Sequence, residues 1–359
     1  MKWIENTQAL EDFCQTLQKE SVIAVDTEFV RVRTYHAQLG IIQVNAGGKC
    51  ALIDPLAPGL DLCPLKALLY NPNILKVFHA PHQDLEIFYH LWQEVPKPLM
   101  DTQLLAMFAG FGENISYQAL CEQLLGVSLN KKMRFRNWQK RPLSTEEKEY
   151  AALDVVHLYD VYFLLKEMTA HKYAWAEEDI ATLYPPQLFQ IDYQKIWKRF
   201  KKPSVRPTLE ELGALYHLVA WREEMAQKTD KLPKNVVSDE ILHKVVEILH
   251  GKGDESLSTC MQKEPMLKKH INAIKEVVGK SHETSPDFCK NLLWGDKGMA
   301  KNDTEKLKQL KERLSLEAAN LGIPLCLLAR TQDMQGILRQ EKTRLHVGWR
   351  EEVLRRVDL

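Results

Sequence analysis

Three consecutive β-rich segments, followed by segments that alternate between helix and strand, restrict this chain to a mixed sheet covered by helices. The β-rich segments occur in "SVIAVDTEF", which starts at Ser21, and in "QLGIIQVNAGGKCALIDP", where "NAGGK" supplies the glycines of a hairpin turn. Further on, the helix "PLKALLYN" precedes the strand "ILKVFHA", and the helix "HQDLEIFYHLW" precedes the short strand "KPLMDT". A meander followed by such units predicts an α/β fold with a mixed sheet.

The rest of the chain is predicted to be helical and to form more than one domain. Helical periodicity runs from Thr102 to about Ala170 and resumes in "TLEELGALYHLVAWREEMAQKTD", which carries an apolar stripe of leucine and valine side chains. Between these regions, "KRFKKPSVRPT" combines prolines and basic residues with little apolar content, which is typical of a linker. A chain of 359 residues is expected to contain more than one domain, at about 150 residues each.

Composition gives no sign of a membrane span or of a disulfide framework. Hydrophobic residues make up 45% of the chain and charged residues 27%, and no apolar stretch approaches the roughly 18 residues that a membrane span needs. The N-terminus lacks the uninterrupted apolar core of a signal peptide, so we expect a cytoplasmic protein. The seven cysteines include no C-x-x-C pair and are expected to be reduced, mostly packed thiols.

Two carboxylates stand close together near the end of the first β-rich segment. Asp26 and Glu28 point to the same face of a strand, because successive strand residues alternate between faces. Like charges held side by side in a partly buried place repel each other and raise each other's pKa unless a cation lies between them. A D-x-E pair also occurs by chance where a strand runs into solvent, so the pair alone leaves a metal site and a solvated strand end as alternatives.

Two later segments add carboxylates that are predicted to lie near the same sheet. Asp84 follows a buried strand, near the N-terminal end of the next helix, where the helix dipole favours an anion. Ser144 and Glu147 form a capping box at the start of a later helix, on which Tyr150 and Asp154 lie four residues apart on one face. The same face, which is expected to point at the sheet, also carries Leu153, His157 and Leu158. Each feature alone fits an ordinary structural role. Two strand acids, an aspartate at the start of a helix and a helical tyrosine with an aspartate, in this order around a mixed sheet, form a combination that recurs in proteins.

Two basic runs interrupt a chain whose formal net charge is zero. "KKMRFRNWQKR" and "KIWKRFKKPSVR" each hold six basic residues, no acid and two aromatic residues. Such stretches suit phosphate contact combined with stacking on bases or sugars, although a solvated helix face or a charged linker is about equally consistent with either run alone. The residues expected to contact nucleic acid are Lys131, Arg134, Arg136, Lys198 and Arg199.

The three acidic motifs resemble those of the DEDD exonuclease superfamily, in its tyrosine subgroup, and in particular those of the ribonuclease D family. "VDTEFVRVRTYHAQLGIIQV" is similar to the first motif and the strand after it, "FHAPHQDLEIF" to the second and "YAALDVVHLYDVY" to the third. "WREEMAQKTDKLPKNVVSDEIL" resembles the HRDC-type helical domain that this family shares with RecQ-type helicases. "HVGWR", near the end, resembles the family's C-terminal signature.

The resemblance implies a domain order. It implies a ribonuclease H-like exonuclease domain over residues 1–195, a basic linker over 196–207, an HRDC-type helical domain over 208–284 and a second, divergent helical domain over 285–359. It further implies hydrolysis of RNA from the 3′ end to nucleoside 5′-monophosphates, with precursor transfer RNA and other small structured RNAs as the substrate class. The helical part would then recruit RNA to the catalytic domain.

The resemblance also implies a cofactor and roles for five residues. The cofactor is a pair of divalent ions, Mg²⁺ or Mn²⁺, because two such ions can stabilise charge on the attacking and leaving oxygens of phosphodiester cleavage. The metal ligands implied are Asp26, Glu28, Asp84 and Asp154. Tyr150 would orient the attacking water, since a tyrosine with a pKa of about 10 is better suited to holding water than to deprotonating it.

Two other functions remain open from the sequence. A 3′–5′ DNA exonuclease of the proofreading type would use the same chemistry, and an RNA-binding protein would retain only a vestigial nuclease. The presence of all five catalytic positions argues against the vestigial alternative. Away from these positions, His79 is expected to be a packed core histidine and Asp101 a helix cap rather than a fifth ligand, while Trp221 and Trp349 are expected to fill helical cores.

Overall fold

A six-stranded mixed sheet forms the centre of the N-terminal half in the computed structural model of this protein. Its strands are Lys2–Ile4 (β1), Val22–Val30 (β2), Gln38–Ala46 (β3), Lys49–Ile53 (β4), Leu75–Phe78 (β5) and Leu99–Asp101 (β6). In the order β1-β4-β3-β2-β5-β6, the neighbours β2, β3 and β4 are antiparallel, whereas β1, β5 and β6 join as parallel strands. The predicted meander and mixed sheet are confirmed. The sequence does not indicate β1, because three residues are too few to show strand periodicity.

The structure describes residues 1–129, 136–202, 206–252, 256–263, 265–281, 283–293 and 301–356, without the side chains of residues 265, 301 and 302. No helix within these ranges is long and apolar enough to cross a membrane. None of the seven cysteines, all of which are described, is in a disulfide, and five of them are buried, which confirms the expectation of mostly packed thiols.

The helices predicted in the N-terminal half are confirmed between Cys63 and Met168, and two helices that were not predicted, Thr7–Leu17 and Tyr173–Leu183, flank them. Up to Leu183 they are Thr7–Leu17 (α1), Cys63–Leu69 (α2), His82–Trp92 (α3), Thr102–Phe108 (α4), Tyr117–Leu125 (α5), Thr145–Met168 (α6) and Tyr173–Leu183 (α7). The capping box at the start of α6 is confirmed, because the Ser144 hydroxyl accepts the N–H of Glu147 while the Glu147 carboxylate accepts the N–H of Ser144.

The buried face of α6 differs from the predicted one. Leu153 is 40% exposed, so its expected orientation toward the sheet is wrong. The side chains that α6 buries are Ala151, Ala152, Val155, Leu158, Val161, Tyr162 and Leu165. Leu158 is buried as predicted, whereas Leu153 is not, because the rotation of the helix is set by the larger row of small and branched side chains beside Leu158.

The chain folds into two compact units. Unit 1 comprises Met1–Val30, Gln38–Phe189 and Gly298–Leu359, and unit 2 comprises Arg31–Ala37 and Gln190–Lys297. This division differs from the linear boundaries expected from the sequence, because residues 298–359 join the exonuclease unit instead of forming a separate helical domain with residues 285–297. Sequence order reports only local neighbours and therefore does not indicate such a return of the chain.

Unit 2 is helical. Its helices are Tyr193–Arg199 (α8), Leu209–Lys228 (α9), Pro233–Val236 (α10), Asp239–Leu249 (α11), Leu257–Lys263 (α12), Pro265–Ser281 (α13) and Pro286–Asn291 (α14). The predicted apolar stripe of α9 is confirmed, since Leu212, Leu215, Leu218 and Val219 are buried in the core of this unit. Trp221 packs against the same core, as expected.

The C-terminal signature anchors the end of the chain within unit 1. The last helices are Lys301–Asn320 (α15), Leu325–Leu328 (α16), Thr331–Leu338 (α17) and Trp349–Leu354 (α18). The Arg350 guanidinium donates to both carboxylate oxygens of Asp179 at 2.5 and 2.6 Å, and the Trp349 ring stacks on Trp175 with centroids 4.8 Å apart. The "HVGWR" segment is therefore a packing element, and the core position expected for Trp349 is confirmed.

Candidate active site

Asp26 and Glu28 lie on the part of β2 that extends beyond β5. β5 pairs with β2 from Val22 to Ala24, while β3 continues along the other edge of β2 as far as Val30. The two acids are therefore at the carboxyl end of the parallel strands, where α/β sheets commonly bind ligands. Because the strand continues to Val30 and the intervening Thr27 is buried, this is not the solvated strand end that chance would produce.

A β-bulge beside Glu28 brings an aromatic ring against the strand. The register between β2 and β3 shifts after Glu28, and Gly40 is the additional residue of β3. A Cβ atom on Gly40 would lie 2.6 Å from the carbonyl oxygen of Trp138, so this approach requires glycine. Trp138 is buried and its ring stacks with that of Tyr150, with centroids 6.1 Å apart. Packing thus links the first acidic strand to the predicted catalytic tyrosine.

Arg141 holds this arrangement together. Its guanidinium donates to both carboxylate oxygens of Asp54, at 2.7 and 2.6 Å. It also donates to the carbonyl oxygens of Gly40 at 2.6 Å and Trp138 at 2.8 Å. The last residue of the first basic run is therefore structural, although its charge alone suggested a phosphate contact.

Asp84 lies in the first turn of α3, as predicted, and is buried. The Thr27 hydroxyl donates a hydrogen bond to its carboxylate. Burial raises the pKa of Asp84 to about 6, while the hydrogen bonds from Thr27 and from the main chain act in the opposite direction. Thr27, the residue between the two strand acids, is thus what attaches the second acidic motif to the first.

The other three predicted metal ligands all affect the pKa of Asp26. Burial and then Asp84, Asp154 and Glu28 raise the pKa of Asp26 well above its ordinary value, and the N–H of Thr27 lowers it. Burial also raises the pKa of Asp154 to about 7. The charges of Asp84, Asp154 and Glu28 all act on Asp26, so the fold brings each of these three acids within electrostatic range of Asp26.

The donor set fits a hard divalent cation, because it consists of carboxylate oxygens. Within the described ranges, however, no three histidine, cysteine, aspartate or glutamate side chains are already spaced to hold an ion. Carboxylates that repel one another stay apart when no cation is between them. The four acids therefore fit metal binding by charge and by donor type, and binding would require their side chains to close around the ion.

Tyr117 is a neighbour of this site that the sequence did not single out. It follows the Ser116 cap of α5, and its hydroxyl donates to the carbonyl oxygen of Leu153 at 3.0 Å. Burial, Cys121 and Asp154 raise the pKa of Tyr117 well above its ordinary value. A tyrosine in the first turn of a helix carries no distinctive sequence signal, so only the tertiary structure reveals its proximity to Asp154.

The two expected structural residues near the site have the predicted roles. His79 is packed 5.6 Å from the Tyr117 ring, its Nδ1 lies 2.9 Å from the Thr102 hydroxyl, and burial lowers its pKa. Asp101 caps α4 by accepting the N–H of Gln103 at 2.8 Å.

The predicted nucleic-acid contacts are divided between the two units. Lys131 and Arg134 lie outside the described residues. Arg136 is exposed in unit 1, and Lys198 and Arg199 are exposed on α8 in unit 2. The exposed positions remain available for phosphate contact.

The expected stacking role of the aromatic residues in the basic runs is wrong for three of them. Trp138, Trp197 and Phe200 are 1%, 5% and 5% exposed, respectively, and belong to the cores of their units. In the described part of each run, exposed cationic side chains such as Arg136 and Lys198 alternate with buried aromatic rings, so the interleaving there reflects amphipathic packing.

Two family models match the chain. A 3′–5′ exonuclease model matches residues 1–170, and the HRDC domain model matches residues 211–278. The first covers the sheet and the acidic motifs, and the second lies within unit 2.

Curated relatives and a solved structure extend the similarity over the whole chain. Ribonuclease D of Bartonella henselae is 32% identical over 366 aligned residues, covering 98% of this chain and 88% of that protein. Ribonuclease D of Gluconacetobacter diazotrophicus is 40% identical, and this alignment covers 67% of the chain and 61% of that protein. The crystal structure of Escherichia coli RNase D, titled an exoribonuclease involved in structured RNA processing, superimposes with a TM-score of 0.79 at 29% identity, covering 99% of this chain and 96% of that one.

Proposed function

This chain belongs to the ribonuclease D family of 3′–5′ exoribonucleases, and on that premise we propose that it removes nucleoside 5′-monophosphates from the 3′ end of RNA by a two-metal-ion mechanism. The observation that carries the mechanism is the placement of Asp26 within electrostatic range of three other carboxylates, which add to burial in raising its pKa. A partly buried cluster of like charge is costly unless a cation compensates it, and bound divalent ions would supply that compensation.

Asp26, Glu28, Asp84 and Asp154 would hold the two ions, Mg²⁺ or Mn²⁺, and Asp26 would be the ligand that gains most from them, because the charges of the other three acids all act on it. When bound, the ions supply Lewis-acid stabilisation of the charge that develops on the attacking and leaving oxygens. Thr27 holds Asp84 by a hydrogen bond, so the Asp84 carboxylate is oriented before any ion arrives.

Tyr150 would orient the attacking water through its hydroxyl. Its ring is stacked on the buried Trp138, so the hydroxyl is carried by a side chain that packing restrains. Tyr150 and Asp154 are one helical turn apart on α6, so the water and a metal ligand would share one face of the helix.

Precursor transfer RNA and other small structured RNAs are the proposed substrates. The description of the Escherichia coli relative as acting in structured RNA processing supports this class. The HRDC-type region and the exposed residues Arg136, Lys198 and Arg199 would bind RNA phosphates together with Lys131 and Arg134. Seven cysteines that form no disulfide in the described residues suit a reducing compartment, and we place the activity in the cytoplasm.

The proposal is tested by comparing hydrolysis of a 3′-extended transfer RNA, a short single-stranded RNA and a DNA strand of the same sequence, with Mg²⁺ or Mn²⁺. We expect stepwise release of 5′-monophosphates from both RNAs and much slower hydrolysis of DNA. Asp154→Asn, purified identically, serves as the control for contaminating nucleases. Equal hydrolysis of DNA would favour the proofreading-type alternative, and RNA binding without hydrolysis under any metal would favour the vestigial one.

The RNA contacts are tested with two charge-removing pairs, Arg134→Ala with Arg136→Ala and Lys198→Ala with Arg199→Ala. Each lost phosphate contact should reduce the log-log salt slope of binding by about one unit, largely regardless of base sequence. The first pair should weaken binding of both the short strand and the transfer RNA, and the second chiefly that of the transfer RNA. Unchanged affinity and slope in both pairs would mean that these side chains are solvated surface.

A further inference from the structure

The carboxylate of Asp101 joins three segments of unit 1. One oxygen, Oδ1, accepts the N–H groups of both Gln103 and Ala80 at 2.8 Å, and the other, Oδ2, accepts the hydroxyl of Tyr184 at 2.8 Å. Asp101 is 3% exposed and Tyr184, at the end of α7, is 8% exposed. A helix cap needs only the Gln103 bond, so the other two bonds call for a further explanation.

Ala80 occupies a backbone conformation that a residue with a side chain rarely adopts. Its φ is +51°, in the left-handed region, and it lies between the end of β5 and the start of α3. The carbonyl oxygen of Ala80 accepts the N–H of His82 at 2.9 Å, so this turn sets the direction in which α3 begins. Strained residues of this kind persist only where their surroundings hold them.

The same turn determines where Asp84 lies. Asp84 is four residues after Ala80, in the first turn of α3. The Asp101 charge adds to burial in raising the pKa of Asp84, and Asp84 is one of the charges that act on Tyr184 after burial and Asp101. Both Asp101 and Tyr184 are therefore close enough to Asp84 to influence it.

We propose that Asp101 and Tyr184 form a brace that fixes the Ala80 turn and thereby places the Asp84 carboxylate for metal binding. The inference rests on the proposed two-metal function and adds two positioning residues to it. Tyr184 holds one oxygen of Asp101, so that the other oxygen stays directed at the N–H of Ala80.

Tyr184→Phe tests the brace, because it removes one hydroxyl and leaves both the ring and the Asp101 charge. The matched control is Tyr162→Phe, which removes a buried hydroxyl 2.9 Å from that of Tyr173 in the same unit. For each protein, at a temperature where it is fully folded, the rate is measured against Mn²⁺ concentration, together with the Mn²⁺-dependent rise in Tm and RNA affinity without metal.

We expect Tyr184→Phe to raise the half-saturating Mn²⁺ concentration about 10-fold, as loss of a partner behind a metal ligand commonly does. Its rate at saturating Mn²⁺ and its RNA affinity should stay near wild type, and its Mn²⁺-dependent rise in Tm should shrink. Tyr162→Phe should lose similar thermal stability with unchanged Mn²⁺ dependence. Asp101→Asn should affect Mn²⁺ binding more strongly, since it removes both the acceptor of Tyr184 and a nearby charge.

A Mn²⁺ dependence of Tyr184→Phe that matches the control would overturn the brace while leaving the proposed function intact. An absence of metal-dependent hydrolysis in the wild-type chain would overturn the proposed function and the brace with it. The wild-type and control measurements therefore separate the two failures.

Discussion

Two groups of buried charge in unit 1 are compensated in different ways. At the C-terminal anchor, the side chains of Asp179 and Arg350 are 11% and 6% exposed and pair through two hydrogen bonds. At the end of the parallel strands, burial and then the charges of three other carboxylates raise the pKa of Asp26. In the first group, a positive side chain of the same chain neutralises the carboxylate. In the second group, the interacting side chains all carry negative charge.

Pairing with an arginine distinguishes buried carboxylates that stabilise the fold from carboxylates that serve function. Where a buried carboxylate has a structural role, as Asp179 and Asp54 have, an arginine from the chain neutralises it with two hydrogen bonds. At the sheet, burial and the charges of three other acids raise the cost of ionising Asp26, and selection for stability alone would remove such a cost. This contrast is the basis for expecting the missing positive charge to come from metal ions.

The largest expected effect comes from removing one charge from the acid cluster. Asp26→Asn should lower the hydrolysis rate by about 10³-fold or more, because several kcal/mol of transition-state stabilisation depend on the ions that Asp26 would bind. Without metal, the same variant should be at least as stable as wild type, since it relieves repulsion. Single-turnover hydrolysis and thermal unfolding in a chelating buffer measure the two effects. Residual activity near wild type, or a clear loss of metal-free stability, would contradict the account.

Breaking the ion pair between Asp179 and Arg350 should instead lower the stability of the fold. Arg350→Leu leaves Asp179 buried without its partner and should lower the free energy of unfolding by about 3–5 kcal/mol. The double variant Arg350→Leu with Asp179→Leu should recover much of that loss, because no charge then stays buried alone. Denaturant unfolding measures both. If the single variant proved as stable as the double one, Asp179 would not depend on Arg350.

Tyr150→Phe leaves every charge of the site in place. It therefore separates the positioning of the attacking water from the binding of metal ions by the carboxylates. The rate should fall by about 10- to 100-fold, because the water loses the hydroxyl that orients it while the ring keeps its stacking on Trp138. RNA affinity and the Mn²⁺-dependent rise in Tm should stay near wild type. An unchanged single-turnover rate would mean that another group positions the water.

A further expected effect concerns a third kind of compensation, at Lys76 in β5. Its fully buried ammonium donates to the carbonyl oxygens of Asn71, Ile74 and Lys97 at 2.9, 2.7 and 2.6 Å, and burial lowers its pKa to about 7. The unfolded chain, with a lysine pKa of about 10.4, binds more protons above pH 7, so this group makes stability rise as pH increases from about 7 toward 10.

Thermal unfolding between pH 7 and pH 9.5 tests the Lys76 prediction, with Lys76→Met as the comparison. The variant should be less stable at every pH, since three carbonyl groups lose their donor. The rise in Tm with pH that Lys76 causes in the wild-type protein should be absent from the variant. Identical pH profiles in the two proteins would show that Lys76 keeps an ordinary pKa.

Much of the fold could be predicted from local patterns, and the exceptions have physical reasons. Hydrophobic periodicity and the Ser144 capping box predicted β2 to β6 and the start of α6, because these depend on neighbouring residues. The return of residues 298–359 to unit 1 involves contacts such as that between Asp179 and Arg350, which lie 171 positions apart and carry no mutual sequence signal.

The site shows the same limit. The acids Asp26, Asp84 and Asp154 were identified from motifs, and the structure brings their charges together. The residues that support them, such as Thr27, Gly40 and Tyr184, have common side chains whose roles arise only from tertiary contacts. The basic runs misled in part, because alternation of aromatic and cationic residues describes an amphipathic surface as well as a nucleic-acid contact.

The two-metal mechanism requires the four carboxylates to bind two divalent ions. The number of ions bound can be measured directly. Calorimetric titration of Mn²⁺ would be performed on the chain bound to a short RNA whose terminal linkages are phosphorothioates that resist hydrolysis, in parallel with Asp26→Asn. The account predicts two Mn²⁺ per wild-type complex and the loss of at least one in the variant. Binding of no Mn²⁺ by the wild-type complex, or the same two ions bound equally well by Asp26→Asn, would contradict it.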